Sequence, residues 1–214
     1  MSTEKRRART AEDKQKKKER ILKAARELFF KKGFYGTTIE MITAKAGVST
    51  GIFYFYYKNK IEVFKALQDE GLDILQNAID TVIARREMTS REKLTRLAFM
   101  YLDYYREYRE YFDIMSIVCA APDELKETDS ELSTVIDDKT RGVLKKIEGV
   151  IQDGIDGGEF IPVDIWKATT VFWAMMDGLI LLDERDNIKN VIGVNLADLI
   201  EQALEMSFRG LAQE

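Results

Sequence analysis

Apolar positions recur along this chain with a helical period and show no run of strict alternation. Ile21, Leu22, Ala25, Leu28 and Phe29 follow an i, i+1, i+4, i+7, i+8 rhythm, and Leu94, Leu97, Ala98, Tyr101, Leu102 and Tyr105 later keep a similar one. Proline interrupts the chain only at Pro122 and Pro162, so long helices are allowed. No repeat of fixed period is visible. The pattern predicts an all-α fold.

Cap residues set the expected boundaries. The first helix runs from about Asp13 to Lys32 and ends at Gly33, which can take the left-handed conformation. A second starts at Thr37, where Thr37-Thr38-Ile39-Glu40 reads as a capping box, and stops at Gly47. Ser49 caps a short third helix reaching about Tyr57, and Asn59-Lys60-Ile61-Glu62 opens a long one towards Arg86. Further helices are expected near 90 to 109, 111 to 121, 129 to 156, 163 to 183 and 195 to 211. Pro122 to Asp129, Gly157-Gly158 and Asp186 to Asn190 read as the linkers.

Composition narrows the chemistry. The 214 residues include no His and one Cys, Cys119. That leaves no imidazole for a metal ligand or catalytic triad, and no intramolecular disulfide. Gly149 and Gly154 have the spacing of a phosphate-binding loop, but Ile155 and Asp156 stand where Lys and Ser or Thr would be needed. No catalytic constellation, metal site or cofactor is expected. The apolar stretch Ala168 to Leu182 is short for a bilayer and contains Asp177, and the first 20 residues lack the apolar core of a secretory signal. The expected location is the cytoplasm, with no membrane partner.

The net charge of −4 conceals a partition: residues 1 to 65 hold 17 Lys plus Arg against 7 Asp plus Glu, and the remainder holds 16 against 30. A local balance of +10 suits a polyanion, and the other part, at −14, repels one. Within the basic part, two short helices joined by Ala46-Gly47-Val48-Ser49 have the layout of a helix-turn-helix. Its second helix would enter the major groove of DNA. Val48, Phe53 and Tyr57 can pack onto Ile39, Ile42 and the first helix, which leaves Thr50, Gly51, Tyr54, Phe55 and Tyr56 outside. Five consecutive aromatics, Phe53 to Tyr57, cannot all face inward on one helix. Tyr hydroxyls can bond phosphate oxygens, and the rings can press on sugars or thymine methyls.

Residues 18 to 67 resemble the TetR family of bacterial transcriptional repressors. The resemblance is carried by Ile21-Leu22-Lys23-Ala24-Ala25-Arg26-Glu27-Leu28-Phe29, Gly33-Phe34, Thr37-Thr38-Ile39, Ile42-Thr43-Ala44-Lys45-Ala46-Gly47-Val48-Ser49, Gly51 and Phe53-Tyr54-Phe55-Tyr56-Tyr57-Lys58-Asn59-Lys60. It implies that Thr37 or Thr38 and Lys60 hold phosphates, and that Thr50, Gly51, Tyr54, Phe55 and Tyr56 face the groove, beside the cap Ser49. Helix N-termini favour phosphate independently, through unpaired amides. Tyr57 departs from the family, which usually has Phe there, so its hydroxyl must find water or a partner. The resemblance also implies a homodimer through the last two helices and a small-molecule inducer inside the rest of the chain. It divides the chain into residues 1 to 60, a basic arm and DNA-binding domain, and residues 61 to 214, a ligand-sensing and dimerisation domain.

The later part offers candidates for that sensing role. Phe99, Leu102, Tyr105, Tyr108, Phe112 and Met115, with Cys119, Trp173, Met176 and Asp177, are the expected ligand-binding residues. Core packing explains part of the set, and pockets too are mostly apolar with a few polar handles. Cys119 reads as a small buried apolar residue. Asp177, within an apolar helix, can cap a polar network, bond across a dimer or recognise a ligand donor. Lys5-Arg6-Arg7-Ala8-Arg9 and Lys14 to Lys18 form either a minor-groove arm or a solvated tail. The expected function is a transcriptional repressor released from a palindromic operator by an apolar or aromatic inducer. Two rivals are an enzyme with a basic appendage and an architectural DNA-binding protein. The first lacks a catalytic constellation, and the second has no need of a large aromatic-rich acidic domain.

Overall fold

The computed structural model describes residues 3–117, 131–185 and 190–211, which are helical with no strand among them. The helices are α1 (Thr3–Lys32), α2 (Ile39–Ala46), α3 (Thr50–Tyr56), α4 (Lys60–Ile83), α5 (Ser90–Glu107), α6 (Arg109–Ile117), α7 (Glu131–Asp156), α8 (Ile165–Asp183) and α9 (Leu196–Leu211). The all-α expectation holds. Two compact units form, one from Met1–Gly71 with Arg109–Ile136, the other from Leu72–Tyr108 with Asp137–Glu214.

In the first unit, Ile21, Ala24, Ala25 and Phe29 of α1 are buried together with Ile42 and Ala46 of α2, Phe53 of α3, and Val63, Phe64 and Leu67 of α4, with α1 packed on α2. Phe29, Phe34 and Phe64 form a cluster with ring centroids 5.3 to 5.6 Å apart, fixing the start of α4 against the end of α1. Helix α1 begins at Thr3 rather than near Asp13. Its added turns, residues 3 to 12, are rich in Arg, Ala and Glu, which favour helix, and Glu12 at their end pairs with Lys16 at 2.6 Å.

The cap of α2 also differs from expectation. Thr38, not Thr37, accepts from the Met41 amide at 3.3 Å, while the Thr37 hydroxyl turns inward and donates to the Gly33 carbonyl at 2.9 Å. Two adjacent threonines compete for one cap, and the tight turn from Gly33 (φ 71°) gives the outer position to Thr38. Asn59 caps α4 as expected, accepting from the Glu62 amide at 2.9 Å, but Glu62 reaches back to the Lys58 amide.

In the second unit, α5 opens on a full capping box of Thr89 and Glu92. The Glu159 carboxylate adds a second anchor, accepting from the Ser90 and Arg91 amides at 2.9 and 3.1 Å. The next residue, Phe160, is buried and stacked on Phe208 at 6.2 Å. It fits over Gly154 so closely that a Cβ there would lie 2.2 Å from its ring. The Gly158-Glu159-Phe160 turn thereby ties α7 to α5 and α9.

Helix α8 is 19 residues long and, by length and composition alone, sufficient to cross a membrane, which the shorter apolar stretch did not anticipate. Thr169, Met176 and Ile180 on α8 are buried in this unit, whereas Trp166, Val171, Trp173 and Leu181 are exposed. On α9, Leu196, Ile200 and Leu204 are buried and close the core.

Candidate nucleic-acid interface and ligand hollow

The helix-turn-helix is built around Gly47. Its φ of 63° lies in the left-handed region, its amide donates to the Ala44 carbonyl at 3.2 Å, and the Arg20 guanidinium donates to its own carbonyl at 3.2 Å. A Cβ at Gly47 would approach that guanidinium at 2.6 Å. Lys45 pairs with Glu27 at 2.7 Å, adding a second tie between α1 and α2. Ser49 caps α3, its hydroxyl accepting from the Ile52 amide at 3.3 Å. With Phe53 and Tyr57 buried, the geometry leaves Thr50, Gly51, Tyr54 and Phe55 exposed and Tyr56 half-buried against the Phe55 ring. Phe55 is 68% exposed, which for a large apolar ring beside a basic helix marks a contact surface rather than a core.

Thr38 and Ser49 are exposed at the starts of α2 and α3, whereas Thr37 is buried with its hydroxyl committed to Gly33. Lys60 is half-buried. Its ammonium donates to the Phe34 and Thr37 carbonyls, each at 2.7 Å, and lies 4.2 Å from the Phe34 ring centroid. Burial lowers its pKa from the ordinary Lys value. Two of its three donors thus hold the turn before α2, leaving one to reach outward. Lys14, which joins this surface by sitting 5.5 Å over the Phe55 ring, carries no sequence signal beyond its place in a basic run.

Behind the face, Tyr57 is buried and its hydroxyl has no hydrogen-bond partner among the described residues. Burial, with Glu70 and Glu62 nearby, pushes that hydroxyl's pKa well up. Tyr57→Phe is therefore expected to stabilise the protein by about 1 kcal/mol, since a desolvated, unpaired hydroxyl is removed and the ring packing kept. Thermal melts of the two proteins check this, and a drop in Tm would show that the hydroxyl is satisfied.

Helix α6 is fastened to α1 within the same unit. Arg26 of α1 pairs with Glu110 at 2.8 Å, donates to the Tyr111 hydroxyl and lies 4.9 Å from the Tyr111 ring centroid. Burial and hydrogen bonding to Glu70 of α4 push the Tyr111 hydroxyl up to about 12, against the opposing pull of Arg26. No part of this cluster was expected from the sequence, because its members lie far apart along the chain.

The second unit encloses an apolar hollow of about 50 Å³. Leu75 and Ile79 of α4, Leu97 and Met100 of α5, Val143 and Ile147 of α7, and Phe172, Trp173 and Met176 of α8 line it, with Tyr101 on the wall. The Tyr101 hydroxyl donates to Asp177 at 2.6 Å and is itself hydrogen-bonded by Trp173, so a three-member polar chain borders an otherwise apolar space. Of the expected ligand residues, Trp173 and Met176 line the hollow and Asp177 stands one hydrogen bond behind it. Phe99, Leu102 and Tyr105 are elsewhere on α5, and Tyr108 lies on a separate outer groove. Phe112 and Met115 belong to α6, in the first unit, and Cys119 lies outside the described residues. The contributions of α4 and α7 were missed, although Val143, Leu144, Ile147, Val150 and Ile151 carry the periodic signal.

Burial raises the Asp177 carboxyl above the ordinary Asp value, tempered by the hydrogen bond from Tyr101. A folded-state pKa above the unfolded one means that the native chain holds the extra proton as pH rises past about 3.9. The associated stability is complete below that value and is lost as pH climbs through the raised pKa. Asp177→Asn is expected to flatten this part of the stability-versus-pH curve, and an unchanged curve in denaturant titrations would remove Asp177 as its source.

Comparison with known proteins agrees with this geometry. Residues 21–67 match the family described as bacterial regulatory proteins, tetR family. The chain is 28% identical over 175 residues to the HTH-type transcriptional regulator TtgR of Pseudomonas putida, spanning 80% of this chain and 82% of that one. Among solved structures, a bacterial regulatory protein in the tetR family from Rhodococcus RHA1 superposes with a TM-score of 0.72 at 22% identity, covering 92% of this chain and 98% of that one. The transcriptional regulator FadR from Bacillus subtilis, solved in complex with stearoyl-CoA, superposes with a TM-score of 0.69 at 23% identity, covering 90% and 98%. The matched segment takes in the later part of α1, all of α2 and α3 and the start of α4, so residues 21–67 carry the DNA-binding segment of the bacterial regulatory proteins of the tetR family, and over most of its length the chain is similar to proteins named as HTH-type transcriptional regulators.

Proposed function

We propose that this chain is a homodimeric repressor that leaves a palindromic operator when an apolar or aromatic small molecule enters the hollow of its second unit. The observation that carries the reading is the hollow itself: apolar walls, one polar chain of Trp173, Tyr101 and Asp177, and α4 as a lining helix. Helix α4 carries Lys60 at one end and Leu75 and Ile79 further along. At about 50 Å³ the hollow has room for a few waters. An inducer must therefore widen it, and widening displaces α4. A ligand that binds the widened state better than the closed one shifts the protein towards it, and operator affinity falls by linkage. The long acyl chain of the ligand bound to the similarly folded FadR favours an apolar occupant here.

Residues 1 to 60 would then act as the DNA-binding domain and residues 61 to 214 as the sensor, at work in the cytoplasm. The exposed Trp166, Val171 and Leu181 of α8 and Met206 of α9 supply apolar surface for a two-fold seam. Screening fatty acids and aromatic metabolites tests the reading. A true inducer raises Tm and releases DNA together. A ligand that raises Tm while leaving DNA affinity unchanged would show a pocket without a switch.

A further inference from the structure

Helix α1 starts well ahead of the segment matched to the family, and its residues 1 to 20 contain nine Lys plus Arg against four Asp plus Glu. Two contacts fix where this extension runs. Arg20 holds the Gly47 carbonyl at the turn before α3, and Lys14 sits over the ring of Phe55 in the last turn of α3. Those anchors are six residues apart on α1, about 9 Å at 1.5 Å per residue. From Arg20 to Lys14 the extension therefore stays within side-chain reach of α3.

The helical register continues the argument. Ile21, Ala25 and Phe29 form the buried stripe of α1, and stepping back by three and four residues along it reaches Lys18 and Lys14, with Lys17 adjacent. The face that packs the domain core thus becomes a lysine face beyond the end of the core. Lys14, Lys17 and Lys18 are exposed, whereas Lys16 is paired with Glu12.

We propose that this lysine face is a second DNA-contacting element, binding backbone phosphates that flank each site read by α3. A loose basic arm can enter a minor groove, but a helix of about 10 Å diameter cannot enter a groove about 6 Å wide. Phosphates are the remaining partner, and they require charge and proximity without base recognition. The extension enlarges the footprint and the salt dependence and leaves sequence preference to α3. The proposal rests on α3 being the DNA-reading helix.

The test compares the full chain with a variant carrying Lys14→Ala, Lys17→Ala and Lys18→Ala, and with a second carrying Lys→Arg at the same positions. Each is titrated with salt on the duplex the wild-type chain selects from random sequence, trimmed to the selected site or extended by about one turn at each end. The alanine variant is expected to match wild type on the trimmed duplex and to lose the added affinity on the extended one. Its log-log salt slope there should be shallower by about 0.9 for each phosphate that is no longer neutralised, and the arginine variant should restore it. Equal slopes for all three proteins on the extended duplex overturn the proposal, as does an equal loss on both duplexes, which would place the lysines within the site. If wild type binds neither duplex, the reading of α3 fails first, and this proposal with it.

Discussion

Replacing Thr50 and Tyr54 together with alanine is expected to abolish preference for the operator while leaving general DNA affinity largely in place. Both side chains are exposed at the start and middle of α3, and neither supports the core, which is held there by Phe53 and Tyr57. Each good base-edge or methyl contact in the major groove contributes about 1 to 3 kcal/mol of discrimination. Loss of two should lower the ratio of specific to non-specific binding by about 10² to 10⁴ at fixed salt. The basic surface of α1 is untouched, so the salt slope on random DNA should remain as in wild type. Competition between the selected duplex and random duplex measures the ratio, and Tm should stay within about 1 kcal/mol of wild type in stability terms. A variant that keeps its ratio would place recognition elsewhere than on α3.

The other large effect is expected at the hollow. Val143→Phe projects a ring from α7 into the space bordered by Leu75, Ile79, Leu97 and Met176. Filling a small apolar hollow recovers contacts, while any overpacking costs about 1 to 3 kcal/mol, so the chain should remain folded. Operator binding without ligand should be unchanged where the ring fills the existing space without widening it, because α4 is then not displaced and α3 and its caps are not touched. Any apolar inducer found by screening should lose at least about tenfold in affinity, the equivalent of about 1.4 kcal/mol, and with it the power to release DNA. Calorimetric titration and a binding assay on the same samples read both properties. Undiminished induction would mean that the inducer occupies another place.

The helix-turn-helix was more fully legible in the sequence than the apolar hollow. Gly47, Ser49 and the aromatic run from Phe53 to Tyr57 signal locally: a left-handed turn, a cap, and more rings than one face can bury. Helix limits of α2 to α5, α8 and α9 were readable to within about three residues for the same reason, since caps and period are local, while the expected end of α6 and start of α7 lie outside the described residues. The choice between Thr37 and Thr38 was not, because it depends on where Gly33 sends the chain. Nor was the role of Lys60, whose carbonyl partners Phe34 and Thr37 lie more than twenty residues away. At the hollow, Tyr and Met richness pointed to α5 and α8, and the aliphatic residues of α4 and α7 passed as ordinary core. Apolar periodicity reports burial and does not distinguish a side chain that lines a hollow from one that fills it. The inward turn of Leu196, Ile200 and Leu204 on α9, one of the two last helices through which the resemblance implies dimerisation, has the same cause: the period of α9 marks its apolar face but not what that face meets.

Selection of the full chain against randomised duplex DNA at low salt, followed by sequencing of the retained pool, bears most directly on the central claim. A dimer presenting two copies of α3 predicts one enriched motif that reads identically on both strands, with half-sites centred about one helical turn apart or a multiple of it. Adding an inducer found by screening should deplete that motif from the retained pool. A pool with no enrichment beyond the starting library, or a single motif without its inverted copy, would contradict the account.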